Sequence, residues 1–233
     1  MDWDCFLGSN EYSVGSASKK LVRNEIALSR DHLAQGNHQY FRKKLRARHV
    51  WRSYESFKNS AVFLDIETDG TADADGVTCI GMYDGKDYVC LQQGEDLESF
   101  RDRISHYSMI VTFFGTGFDL PVIQKRFPGL MLDQIHFDLC PALKELGFRG
   151  GLKKIEKEFG IVRSPETEGL NGYDAVKLWR AARRGNDNAL ELFIQYNKED
   201  TVNLMLLAEK VYEEARLRIM AGVGAHNLTL DFG

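Results

Sequence analysis

The sequence predicts an α/β protein: a mixed five-stranded sheet flanked by helices, preceded by a helical extension. Three observations carry this. Residues 17–58 have helical spacing, broken at Gly36. From Ala61 the pattern changes to strands, with "AVFLDI", then "VTCIGMY" and "DYVCLQ" forming a hairpin across the "DGKD" turn. "SMIVTFF" and "QIHFDL" follow, separated from what precedes them by segments of helical spacing. Strands joined by short turns must run antiparallel, whereas strands separated by helices can run parallel, so the sheet should be mixed. "LCPALKELG", with Asp138 as a candidate cap, "LKKIEKEFG", "YDAVKLWRAARRG" and a long segment from about Asn188 to Ile219 complete the helices. Asn188 with Glu191 three residues on resembles a capping box for the last of these. The one boundary visible is near Ser60, giving a helical extension over 1–60, a main domain over 61–220 and a tail over 221–233.

The chain has 233 residues, 43% hydrophobic and 27% charged, enough to bury a full core. No apolar run approaches the roughly 20 residues of a membrane span, and the first residues lack the basic start and apolar middle of a signal peptide. The sequence therefore predicts a cytoplasmic protein with no membrane partner. Cys5, Cys79, Cys90 and Cys140 include no CxxC pair, which argues against a zinc cluster or a disulfide framework. A net charge of −4 gives no whole-molecule case for a polyanionic partner, but the charge is unevenly distributed.

The acids are the informative residues. Along "VFLDIETDG" side chains alternate, so Val62, Leu64 and Ile66 face one way and Phe63, Asp65 and Glu67 the other. Apolar residues on both faces imply a central strand. Asp65 and Glu67 then share a face at its carboxyl end, where open α/β sheets place ligands. They could equally be solvated residues just past the strand. Asp119 in "TFFGTGFDLPVI" stands at the start of a short helix, as an N-cap or as a cleft residue. In "FIQYNKEDTVNLMLLAEKV" the apolar stripe Phe193, Leu204, Leu207, Val211 passes through Tyr196 and Asp200, while Lys198 and Glu199 fall on the outer face. A phenol and a carboxylate thus project together into the core, paired with each other or serving a site. Carboxylates from separate elements, without His or Cys, suit hard oxygen-loving cations such as Mg²⁺ or Mn²⁺. Two such ions about 3.5–4 Å apart can promote attack on a phosphate and departure of the leaving oxygen.

The ordered set Asp65-x-Glu67, Phe118-Asp119 and Tyr196-x-x-x-Asp200 resembles the three motifs of the DEDDy branch of ribonuclease H-like 3′→5′ exonucleases. The longer segments "FFGTGFDLPVI", "FDLCPALKELG", "GLKKIEKEFGI" and "YNKEDTVNL" are similar to its YprB-like group, with the likeness running from about Val62 to Val211. The branch with a catalytic His would carry it at Gln195. The resemblance implies a ribonuclease H-like fold with strand order 3-2-1-4-5, and hydrolysis of single-stranded DNA or RNA from its 3′ end. It implies that Asp65 bridges two divalent ions, that Glu67 and Asp200 complete one ion's site, that Asp119 holds the other partly through waters, and that Tyr196 orients the attacking water. Thr68 and Phe118 are the implied contacts to the terminal nucleotide, and Lys153 is a candidate substrate contact on its charge alone or a solvated cation. Two positions depart from the pattern: Asp69 stands where relatives have a second Thr, and Phe114-Gly115 where they have Asn-Gly. A nucleic-acid-binding module with weak catalysis and a structure-selective endonuclease are the competing readings. A dehalogenase-type phosphatase is disfavoured because it wants D-x-D.

From His32 to Tyr54 there is no acid, while Arg42, Lys43, Lys44, Arg46, Arg48 and Arg52 alternate with Tyr40, Phe41, Trp51 and Tyr54. Such a stretch can meet phosphates and bases, or can pack its rings on the main domain and leave its cations in water. A second basic cluster comprises Lys177, Arg180, Arg183 and Arg184.

Overall fold

The computed structural model of the chain describes residues 16–71 and 73–223. Its helices are α1 (Ser16–Ala34), α2 (His38–Lys44), α3 (Tyr54–Phe57), α4 (Phe100–Ile104), α5 (Asp119–Arg126), α6 (Leu139–Glu145), α7 (Leu152–Glu158), α8 (Gly172–Ala182) and α9 (Asp187–Val223). Its strands are β1 (Ala61–Thr68), β2 (Val77–Tyr83), β3 (Tyr88–Gln92), β4 (Met109–Thr112) and β5 (Ile135–Asp138), in the order β3-β2-β1-β4-β5. β1 pairs antiparallel with β2 and parallel with β4, and β5 extends the parallel half. The hairpin and crossover pattern of the sequence dictates this: Asp84 Oδ1 accepts from the amides of Lys86 and Asp87 to close the β2–β3 turn, whereas helices separate the parallel strands.

β1 is central and sorts the core into two layers. Val62, Leu64 and Ile66 join Ile80, Leu91, Phe100, Ile123 and Phe127 beneath one face of the sheet. Ala61 and Phe63 face the other layer with Val111, Phe137, Leu204, Leu207 and Val211. Each such side chain withdrawn from water contributes about 1.5–3 kcal/mol, so a one-residue slip of β1 is strongly opposed. The alternation that presents Phe63 to the second layer also turns Asp65 and Glu67 toward α9.

The sequence places the start of α9 at Asn188, but it is Asn186 whose side chain accepts from the amide of Ala189. The complete capping box lies at α8, where Asn171 caps Asp174 and Asp174 returns the bond. Asp138 does cap α6 through the amide of Cys140. Cys79, Cys90 and Cys140 are free thiols, the first and last buried. Among the described residues no helix is long and apolar enough to cross a membrane. The C-terminal tail expected over 221–233 lies almost wholly outside the described residues.

Candidate metal centre

Asp65, Glu67 and Asp200 each present a carboxylate oxygen within 4.8 Å of the others'. β1 supplies two of them at its carboxyl end and α9 the third. The apolar stripe of α9 buries Phe193, Tyr196, Leu204, Leu207 and Val211, which leaves Asp200 7% exposed. The pairing of β1 with β2 shifts register between Glu67 and Thr68, so regular pairing ends where the acids gather.

Three like charges in a dry site are unfavourable without a counter-charge, and the protonation equilibria show it. Burial first, then Asp200, Glu67 and Asp119, hold Asp65 well above the ordinary carboxylate range. Burial followed by Asp200 and Asp119 does the same to Glu67. Asp200 is also raised by burial, against the pull of Arg163 and Lys153. An all-oxygen donor set held short of its natural ionisation fits a hard divalent cation, which would supply the missing positive charge.

Protein groups the sequence did not flag hold these acids in place. Asn197, fully buried on α9, donates from Nδ2 to Asp65 Oδ2 at 3.0 Å, while its Oδ1 accepts from the Tyr88 hydroxyl at 2.9 Å. Gly81 lies under this contact: a Cβ there would stand 2.1 Å from Asn197 Oδ1 and 2.4 Å from Thr201 Oγ1, so only glycine lets α9 approach β2 so closely. Arg163 pairs with Asp200 and reaches Glu156 from Nε at 2.6 Å and from Nη2 at 2.8 Å. Asn203 donates to the same Glu156 at 3.0 Å. Arg163 and Glu156 are both buried, so this network holds the helix-borne acid through a charge-assisted chain. Glu199, expected on the outer face, is half-buried and accepts from Thr167 and from the Ser164 amide, whereas Lys198 is exposed as expected.

Asp119 stands beside the three acids rather than among them. It is the first residue of α5 and does not cap it; its Oδ1 accepts from the β1 amide of Ile66 at 3.2 Å. Burial pushes its pKa up to about 7, against hydrogen bonds from its own amide and that of Ile66. Tyr196 is buried at the cluster, its hydroxyl within 3.3 Å of Lys153 Nζ, and burial with Asp200 and Glu67 holds the phenol protonated. Lys153 also donates to the carbonyl of Leu170, so it braces Tyr196. Thr68 Oγ1 accepts from the amide of Gly70 at 3.3 Å. Phe118, 37% exposed, immediately precedes Asp119.

The two positions that depart from the resembled motifs, Asp69 and Phe114, both lie in loops held by hydrogen bonds. Asp69 Oδ1 accepts from the amide and hydroxyl of Thr71 at 3.0 and 2.7 Å, folding the loop after β1. Its carbonyl accepts from Arg180, which ties that loop to α8. Phe114 has a φ of 65°, the left-handed conformation that Asn adopts more readily. Asp138 Oδ1 and Oδ2 accept from the amides of Phe114 and Thr116, and the Phe114 ring lies over Gly117, where a Cβ would be 2.4 Å from it.

A family model described as the RNase_H superfamily matches residues 62–212. No curated protein matches the chain. Among solved structures, the chain is similar to the family B DNA polymerase from the hyperthermophilic archaeon Pyrobaculum calidifontis, with a TM-score of 0.53 and 19% identity over 65% of this chain and 24% of the polymerase. It is also similar to Escherichia coli RNase D, an exoribonuclease involved in structured RNA processing, with a TM-score of 0.42 and 19% identity over 75% of this chain and 48% of that one. The chain thus spans less than half the length of either. With its strand order and its match over residues 62–212, the chain belongs to the RNase_H superfamily.

Proposed function

We propose that this protein is a divalent-metal-dependent nuclease of the DEDDy type, removing nucleotides from the 3′ end of single-stranded DNA or RNA. The observation that carries the reading is the convergence of Asp65, Glu67 and Asp200, from the first strand and the last helix, within 4.8 Å of one another. Asp65, Glu67 and Asp200, joined by Asp119, would hold two ions of the Mg²⁺ or Mn²⁺ kind. When bound, such ions neutralise charge on the phosphate and make water a better nucleophile.

The chain's own groups do the rest. Asn197 fixes the rotamer of Asp65, and Arg163 with Glu156 fixes Asp200, so these carboxylates would meet an ion with little reorganisation. Tyr196, held protonated and braced by Lys153, offers an O–H to orient a water beside the scissile phosphate. Phe118 and Thr68, at the rim, contact the terminal nucleotide. The 61–220 segment carries this whole site, with 1–60 as an extension to it.

The test incubates the protein with end-labelled DNA and RNA oligomers, with Mg²⁺, with Mn²⁺ and with EDTA, beside Asp65→Asn and Asp200→Asn. Metal-dependent shortening from the 3′ end, reduced in both variants by roughly four orders of magnitude, is expected. Activity that survives in either variant, or oligomers that bind but stay intact, would overturn the assignment.

A further inference from the structure

The segment from His38 to Lys58 carries charge that neither the acid cluster nor the core uses. Four of its rings are committed inward, with Phe41 against Phe57, Trp51 and Tyr54 against Tyr212, and Tyr54 against Phe137, while Tyr40 stacks on His32 of α1. Its cations are left outside. Arg42, Lys43, Arg46, Arg48 and Arg52 are exposed. Glu25 pairs with Lys44 at 2.9 Å, and Glu55 and Glu209 pair with Lys58 at 3.0 and 3.6 Å. At the centre of the face, His49 is held below its ordinary value by burial and then by Arg52, Arg48 and Arg46, against Glu145 alone. Arg48 Nε donates to His49 Nε2 at 3.3 Å, and Arg52 lies over the Trp51 ring.

This face is remote from the acids. His38 and Gln39 contact Asp133, just before β5, at the amino-terminal end of the parallel strands. Asp65 and Glu67 lie four and six residues along β1 from that end, about 13–20 Å away. Trp51 meets α9 at Tyr212, about 18 Å along the helix from Asp200. A mononucleotide in the acid cluster cannot touch the basic face, but a longer strand can reach both.

We propose that the exposed face of residues 38–52 is a binding surface for the body of a single-stranded nucleic acid. Guanidinium and ammonium groups fixed on an anchored scaffold match a flexible row of phosphates, and with the rings turned inward the surface reads charge rather than base. The choice of partner rests on the nuclease reading; the surface itself does not.

The test compares the full chain with Arg42→Glu/Lys43→Glu/Arg48→Glu, checking by thermal unfolding that both are folded. Binding of a long single-stranded oligonucleotide is followed by fluorescence anisotropy in EDTA across a salt series, and hydrolysis of a dinucleotide in Mn²⁺. We expect the variant to bind the long strand at least tenfold more weakly, with its salt slope reduced by about 2, since each phosphate left without its cation lowers the slope by about 0.7. Dinucleotide hydrolysis should be unchanged. Equal affinity and slope in the two proteins, or binding to phosphatidylserine vesicles in place of the oligonucleotide, would overturn the surface. Should the wild type bind strands with this salt dependence and hydrolyse nothing, the nuclease reading falls and the surface stands; undiminished shortening of long strands by the variant gives the converse.

Discussion

The acid cluster and the basic face each gather charges of one sign, yet they are held in opposite ways. The acids are withdrawn from water, Asp65 in part and the others almost wholly, and the fold gives three of them partners: Asn197 for Asp65, Arg163 for Asp200, the Ile66 amide for Asp119. The cations of residues 38–52 are exposed, and the segment that carries them is anchored by apolar side chains and by His38 and Gln39 on Asp133. The difference teaches that burial, not the number of charges, decides what a cluster demands of its surroundings. A buried charge enlists neighbours across the whole chain, while an exposed one needs only an anchored backbone.

The comparison breaks most sharply at Arg163. Replacing it with Met leaves Glu156 and Asp200 buried without their cation, and the expected loss is about 3–5 kcal/mol in denaturant unfolding, with hydrolysis falling as Asp200 loosens. A loss under about 1 kcal/mol would mean that the network is not a unit. Proton linkage sharpens the same side. Asp119 titrates near 7 in the folded chain, and Asp65 and Glu67 are also raised, so the folded state holds protons that the unfolded state has released. In EDTA, the contribution of these acids to stability is full below the ordinary carboxylate range and is lost as pH rises toward about 7 and beyond. Mn²⁺ should therefore raise the melting temperature more at neutral pH than in mild acid; an equal rise at both would count against the cluster as its site.

Gly81→Ala probes the close approach that gives Asp65 its partner. The added methyl should cost about 1–3 kcal/mol by overpacking and lower activity by displacing Asn197, measured by unfolding and by turnover at saturating metal. On the other side of the comparison, Arg42→Ala and Lys43→Ala should each change stability by less than about 0.5 kcal/mol, because neither charge is buried.

Much of the sheet was legible because alternation and helical spacing are local. Phe63 and Leu64 announce the two covered faces of β1, and Tyr196 and Asp200 lie on a stripe that a 3.6-residue period identifies. What supports the site was not. Asn197, Glu156, Arg163 and Asn203 are ordinary polar residues in the sequence, and only contacts that join distant segments make them buried. Asn197 had one available signal, since it sits immediately after Tyr196 beside the core stripe. Asp119 satisfies the rule for an N-cap and yet directs its oxygen away from its own helix to the Ile66 amide of β1. The start of α9 slipped by two residues because "NDN" offers two competing Asn caps.

The bond between Asn197 and Asp65 spans 132 positions of sequence. Strand β1 forms early in the chain, but its two acids have no third oxygen until the last described helix has docked. No fragment that ends before α9 can assemble this cluster, since Asp200 belongs to that helix. Cation binding therefore doubles as a report that β1 and α9, from opposite ends of the domain's sequence, have met.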